Sequence, residues 1–464
     1  MKIHKLNNFL GDSFMADRHD ATFSPLLTAD IPLYMQVYTY YKDLITDGKL
    51  APNTRLPSIR RCAENLCISR TTAEAAYFQL CADGYVLSKP QSGYYVTDLY
   101  FHKPHKKATP KTDEAPAVQY DFSSLTADRE SFDFALWRRY LKSALRQDER
   151  LLSYGAVQGE RDLREAVAQY ITEKRNVVCS AENIVIGAGV QSLLHILCAM
   201  LRTGTIHFQD ASFLEGRAVF SDHGFAVSQN PDDAQLIYTS PSHKNRWGDV
   251  MSAKERISLL QYAAKHGVLL IEDDYDNEFG YFDKPTPALQ GLDGGHNVVY
   301  LGTFSKLLLP SIRLSFMVLP DRLLPRYCEI APLYNQTASK AEQIALCQFI
   351  RDGHLASRIR KVRKLYRQKA ILLEQAVKSV FGKAAKTHIG DTGFVVKVDI
   401  KTPLSPTELR DRAKCAGILL RTAAAENGTV SLLLSCSGMP TDAFPTALSL
   451  LYETCFPEIA QAHD

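Results

Sequence analysis

Residues 268–281 read VLLIEDDYDNEFGY and residues 297–313 read NVVYLGTFSKLLLPSIR; these two stretches decide the fold of the larger part of the chain. Each opens with an apolar run of strand length and turns polar at its C-terminal end. The first delivers Asp273, Asp274 and Tyr275 there; the second delivers Thr303, Ser305, Lys306 and then Arg313. Around them, helical runs (RDLREAVAQYITEKR, SLLHILCAMLR, AKERISLLQYAAKH) alternate with short apolar runs (NIVI, AQLIYT, VLLIEDD, NVVYLG). That alternation predicts a mainly parallel α/β sheet. Ligands of such sheets gather at the C-terminal edge of the strands. From about residue 322, long basic helical stretches precede GFVVKVDI and VSLLLSC, which predicts a smaller α+β domain packed on the first.

Upstream lies a different kind of sequence. In LYMQVYTYYKDLITDG, Leu33, Val37, Tyr40, Tyr41, Leu44 and Ile45 recur at helical spacing before Gly48. A second, short helix follows Ser58 and carries Ile59, Cys62, Ala63 and Leu66; a third follows Ser69 and carries Ala73, Ala76, Tyr77 and Leu80. Helix, tight turn, helix describes a helix-turn-helix. The runs YVL and YYV flank SKPQSG and predict a hairpin, a wing, with Gly93 at its turn. Arg70, Thr71, Thr72 and Glu74 face away from the apolar stripe of the third helix, where short polar side chains suit phosphate and base edges, and Arg55 and Arg60 are candidate phosphate anchors. Charge adds nothing, since residues 26–98 hold seven basic and seven acidic residues. On periodicity alone a helical protein-interaction module fits equally well.

The division that results is a polar extension (1–25), a winged helix-turn-helix (26–98), a Pro- and Lys-rich linker (99–121) holding His102 and His105 as solvated residues, and the α/β part (122–464). The whole chain has 464 residues, 23% of them charged and 45% hydrophobic, with a net charge of +3, the proportions of an ordinary globular protein and no pointer to a partner. Ten cysteines without a C-x-x-C pair read as small buried hydrophobes in a reducing compartment, so neither disulfides nor a metal site is expected. With no apolar leader in the first 25 residues and no run of membrane-spanning length, a cytoplasmic protein is expected.

Taken singly, the two deciding stretches have plain explanations: a solvated lysine among hydroxyls, and an acidic cluster that binds a divalent cation. Together they describe a pyridoxal 5′-phosphate site. That cofactor needs a lysine amine for a Schiff base, a carboxylate that keeps the pyridine nitrogen protonated, and hydroxyls, backbone N–H groups and an arginine around its phosphate.

Residues 31–96 resemble a GntR-type winged helix-turn-helix, on P-L-Y-x-Q, the run from Gly48 to Arg60, Ser69–Thr72, A-Y-x-x-L and the S-G of the wing; Asn53 stands where that family usually has glycine. This resemblance implies that Arg55, Ser58, Arg60, Ser69, Arg70, Thr71, Thr72 and Gly93 lie at the DNA surface. The second half is similar to fold-type I aminotransferases, and the whole chain resembles a MocR-type regulator. The similarity implies Lys306 as the internal aldimine lysine, Asp273 at the ring nitrogen and Tyr275 at the phenolic oxygen. It also implies Gly189, Val190 and Gln191 at a helix N-terminus on the phosphate, with Thr303, Ser305 and Arg313 completing the cup. Phe213 falls where an aromatic side chain covers the ring, with core packing as the equal alternative.

There are departures. The usual P-S-H-Q-x-P-x-G is here Pro241-Ser-His-Lys-Asn-Arg-Trp-Gly248, so Lys244 and Arg246 replace glutamine and proline, and Asn245 is the candidate for the ring-facing asparagine. Near the C-terminus only Arg421 is available to clamp a substrate carboxylate. The resemblance therefore implies a homodimeric regulator that binds operator DNA and pyridoxal phosphate and senses the cofactor or an amino compound, with at most transamination half-reactions. The alternatives are a working aminotransferase carrying a DNA module and a regulator whose cofactor pocket has decayed. The basic run Arg358, Arg360, Lys361, Arg363, Lys364, Arg367 and Lys369 is expected to be a solvated helix face.

Overall fold

The structure is a computed structural model and describes residues 31–98, 118–124, 126–128, 131–275, 277–280, 286–424 and 428–456. The extension 1–25, His102, His105 and residues 99–117 lie outside the described residues. The chain divides into two compact units, Met1–Asp113 and Glu114–Asp464.

In the first unit, α1 (Leu33–Thr46), α2 (Ile59–Leu66) and α3 (Arg70–Ala82) are followed by the hairpin β1 (Val86–Lys89) and β2 (Gly93–Val96). The expected caps are present: the Ser58 hydroxyl accepts from Arg61 N–H at 3.3 Å and the Ser69 hydroxyl from Thr72 N–H at 3.1 Å. The turn between α2 and α3 is made by Cys67 in the left-handed region (φ 54°), which lets two residues reverse the chain. Val37, Tyr41, Ile45, Cys62, Ala73, Ala76, Tyr77 and Leu80 close over one apolar core. Tyr77 also donates its hydroxyl to Pro57 O at 3.0 Å, tying α3 to the segment before α2. The hairpin differs from expectation in one respect. Its turn is residues 90–92, with Gln91 at φ 59°, while Gly93 already pairs with Lys89 in β2.

The second unit begins with β3 (Tyr120–Asp121), so the last residues of the stretch read as linker belong to this unit: β3 pairs in parallel with residues 418–419. Next come β4 (Ile184–Gly187), β5 (Thr205–Phe208), β6 (Ala226–Ser228), β7 (Leu236–Thr239), β8 (Leu269–Asp273), β9 (Val298–Thr303) and β10 (Ser315–Val318). They form a seven-stranded sheet in the order β4-β10-β9-β8-β7-β5-β6. Only β10 runs against the rest. Strands β7, β8 and β9 are buried along nearly their whole length, as strands covered on both faces must be. Their C-terminal ends bring Thr239, Asp273 and Thr303 to one edge. A smaller antiparallel sheet, β11 (Ala385–Ile389), β12 (Val395–Lys401), β15 (Thr429–Ser435) and β14 (Arg421–Ala424), packs against the 28-residue helix His354–Phe381; β13 (Ile418–Leu419) is the partner of β3.

The basic run on that long helix is not one solvated face. Arg358 donates to Leu307 O at 3.0 Å, and Lys369 is buried on Asp128 Oδ1 and Met439 O, both at 2.6 Å. Helical spacing turns these two toward the core, where each finds acceptors; Arg360, Lys361, Lys364 and Arg367 are exposed, as expected. Among the described residues no helix is long and apolar enough to cross a membrane.

Candidate functional site

A cavity of about 750 Å³ opens at the C-terminal edge of the large sheet, lined by Asp273, Tyr275 and Lys306 together with Val190, Phe213 and Arg313. Asp273 ends β8 and is buried; its Oδ2 accepts the Tyr238 O–H at 2.6 Å. Burial and that carboxylate push the Tyr238 phenol well above its ordinary value, so it remains a donor and holds the Asp273 side chain in one orientation. Lys306 lies in the turn after β9, with Nζ 4.7 Å from the centre of the Tyr275 ring and 5.6 Å from that of Phe394. The His243 ring lies 4.8 Å from that of Tyr275.

At one end the cavity has the features of an anion cradle. The helix Val190–Leu201 begins after Gly189, and its first N–H groups lack intrahelical partners. Gly189 has φ +92°, and a Cβ there would lie 2.3 Å from Arg313 Nη2, so only glycine lets the guanidinium approach this helix start. Arg313 itself is in the left-handed region (φ 50°), a costly conformation for a non-glycine residue that aims its side chain at Gly189. Ser305 Oγ is buried without a hydrogen-bond partner among the described residues, as expected of a hydroxyl that awaits a ligand oxygen. Thr303 Oγ1 is already engaged, accepting from Ser305 N–H at 3.2 Å and Ser315 O–H at 2.8 Å.

Two further residues sit differently from expectation. Asn245 is not brought to the ring position: its amide donates to Asp249 Oδ2 at 2.9 Å and accepts from the Trp247 and Asp249 N–H groups, closing its own loop. Gln191 is exposed and does not line the cavity. Phe213 lines the cavity, and its ring tilts on Tyr238 at 5.3 Å.

Behind Asp273 the neighbouring acids are buried. Arg175 grips Asp274 through Nε–Oδ2 (2.6 Å) and Nη2–Oδ1 (2.9 Å), and also donates to Ser242 Oγ at 2.8 Å and to Thr286 O. Tyr300 donates to Asp274 Oδ2 at 2.6 Å. Sequence reasoning missed Arg175, Tyr238 and Tyr300: the tyrosines lie inside apolar strands and Arg175 ends a charged helix, so nothing local sets them apart. Glu278 accepts from Tyr170 at 2.9 Å, and burial together with the nearby Asp274 charge pushes its carboxyl up to about 7. The folded state thus keeps a proton that an ordinary carboxyl at 4.5 releases, so this contribution to stability is present below about pH 4.5 and is lost as pH rises through about 7. Thermal melts between about pH 5.5 and 8 are expected to show the melting temperature falling with pH, and Glu278→Gln is expected to flatten that slope while keeping the Tyr170 bond.

In the first unit, Ser69 Oγ lies 2.8 Å from Thr71 Oγ1 and 2.7 Å from Thr72 Oγ1, a hydroxyl cluster at the start of α3 beside the exposed Arg70. Arg60 pairs with Glu64 at 3.1 Å on the exposed face of α2. The Arg55 backbone forms a β-bridge with Tyr95, and a Cβ on Gly93 would lie 3.2 Å from Arg55 Nε; Gly93 therefore makes room for the arginine beside the turn of the wing.

Residues 33–96 match the gntR family of bacterial regulatory proteins, and residues 126–416 match aminotransferase class I and II. The HTH-type transcriptional regulator YdeL of Bacillus subtilis is 37% identical over 412 residues, covering 84% of this chain and 89% of that protein. The probable rhizopine catabolism regulatory protein MocR of Rhizobium meliloti is 30% identical over 397 residues, 78% of this chain and 79% of that one. Among solved structures, kynurenine aminotransferase of Pyrococcus horikoshii matches with a TM-score of 0.64 at 19% identity, over 74% of this chain and 92% of that one, a likeness of fold. With a winged helix ahead of an aminotransferase-like domain and relatives that match across both, the chain belongs to the MocR-type transcriptional regulators.

Proposed function

We propose that the aminotransferase-like domain of this regulator binds pyridoxal 5′-phosphate and uses it to sense the cofactor level or an amino compound, and that a homodimer in the cytoplasm reads two operator half-sites through α3 and the wing. The observation that carries this reading is the convergence, in one cavity, of Lys306, the buried Asp273 and the Gly189–Arg313 cradle. When bound, the cofactor supplies an electrophilic carbon at which amines exchange. Asp273, held by Tyr238, keeps a proton on the ring nitrogen; Arg313, Ser305 and the 190–201 helix start bind the phosphate; Tyr275 and Phe213 fix the ring. Linkage then requires that the loaded and empty domains favour states of different DNA affinity.

The test is the visible absorbance spectrum of the purified protein with added pyridoxal phosphate, beside Lys306→Ala. A visible band in the native chain that the variant lacks, with unchanged far-UV circular dichroism, is the expected result. An identical spectrum for both proteins would refute the assignment of Lys306.

A further inference from the structure

Outside the cavity, two imidazoles from different helices meet at the surface. Nδ1 of His195 lies 3.0 Å from Nε2 of His223. His195 is exposed in the middle of the helix Val190–Leu201, and His223 caps the C-terminal end of the helix Leu214–Asp222. The two helices pack on each other, with Leu194, Leu197, Val219 and Phe220 buried in one apolar cluster. That packing fixes both backbones, so the rings are brought together by rigid elements. The two histidines are 28 residues apart in the chain, and no motif spacing announces the pair.

A hydrogen bond between two imidazoles needs one ring as donor and the other as acceptor, so a single proton lies between these nitrogens. A metal ion can take the place of such a proton. Two imidazole nitrogens bound at about 2.0–2.1 Å in neighbouring coordination positions stand about 2.9–3.3 Å apart. The separation here, 3.0 Å, falls in that interval. With ring centres 5.2 Å apart the nitrogens face each other almost in line, and a turn of the two rings aims both lone pairs at one point beside that line. Among the described residues no group of three or more His, Cys, Asp or Glu is placed to hold a metal, so water fills the remaining positions and the ion exchanges with solvent. Imidazoles without a carboxylate suit Zn²⁺, Ni²⁺ and Cu²⁺, whereas Mg²⁺ and Ca²⁺ require oxygen ligands.

We infer that His195 and His223 form an exchangeable site for a late first-row divalent cation, which cross-links the helices Val190–Leu201 and Leu214–Asp222. The first residues of these helices, Val190 and Leu214, line the cavity around Lys306, so an ion here ties together two of the helices that wall it. The inference uses neither the cofactor reading nor the DNA reading. Its test takes the full chain without a histidine tag, stripped with a chelator and titrated calorimetrically with Zn²⁺ beside His195→Gln and His223→Gln. Because the chain has 13 histidines, the difference between the native chain and the variants is what decides. One equivalent of Zn²⁺ is expected to bind the native chain at least about tenfold more tightly than either variant, with far-UV circular dichroism the same in all three. Cu²⁺ is expected to bind there more tightly than Zn²⁺, Mg²⁺ not to compete, and the affinity to fall with pH as protons compete for the same nitrogens. Thermal melts give a second readout: Zn²⁺ is expected to raise the melting temperature of the native chain more than that of either variant. Equal Zn²⁺ binding by the native chain and either variant, or no Zn²⁺ binding by the native chain, overturns the inference and leaves the pair as a hydrogen bond between two helices.

Discussion

Arg175→Met is expected to destabilise the aminotransferase-like domain by about 3–5 kcal/mol, read as a large fall in the denaturant midpoint. The reason is what it leaves behind. Arg175 and Asp274 are both almost fully buried, and burial alone would drive the guanidinium toward losing its proton; the adjacent Asp274 charge overrides this and holds it charged. Removing the arginine strands Asp274 next to Glu272, whose own carboxyl is already pushed up to about 7 by burial and by Asp274. It also removes donors from Ser242 Oγ and Thr286 O. The double change Arg175→Met with Asp274→Leu is expected to be milder than the single one, since no unpaired charge remains. A loss below about 1 kcal/mol for Arg175→Met would show that water reaches the pair. Because Asp274 directly follows Asp273, the same change is also expected to disturb the Asp273 carboxylate, and with it the binding of pyridoxal phosphate proposed above.

Arg70→Ala is expected to abolish operator binding in a mobility-shift titration while the melting temperature stays put. Arg70 is exposed at the first position of α3 and makes no ion pair among the described residues, so truncation takes nothing from the fold. A base-edge or phosphate contact of this kind is worth about 1–3 kcal/mol, and the homodimer proposed above, on two half-sites, would lose it twice. Unchanged affinity would move the DNA-contacting face elsewhere. Neighbouring Ser69 is a poorer probe, because its hydroxyl also caps α3 and its loss mixes stability with binding.

What could be read from the residues beforehand was what is local. The three helices of the first unit follow from spacing and from Ser58 and Ser69 as caps, and Lys306, Asp273, Gly189 and Arg313 follow from strand ends and a helix start. What could not be read depends on partners distant in sequence. The run Ser315–Val318 is as apolar as its neighbours, and nothing in it says that it runs antiparallel between β4 and β9. Lys369 looks like one more base on a basic helix, and its burial depends on Asp128, 241 residues away. Motif position puts Asn245 toward the cavity, but its amide is taken by Asp249, four residues on. Tyr238 belongs to the site only because β7 lies beside β8.

The pairing of β3 with β13 has a mechanical meaning. Tyr120 and Asp121, where the tether from the DNA-reading unit arrives, are stitched to Ile418 and Leu419, and Arg421 follows two residues later. The anchorage of the tether and one wall of the ligand cavity are thus a single short piece of polypeptide.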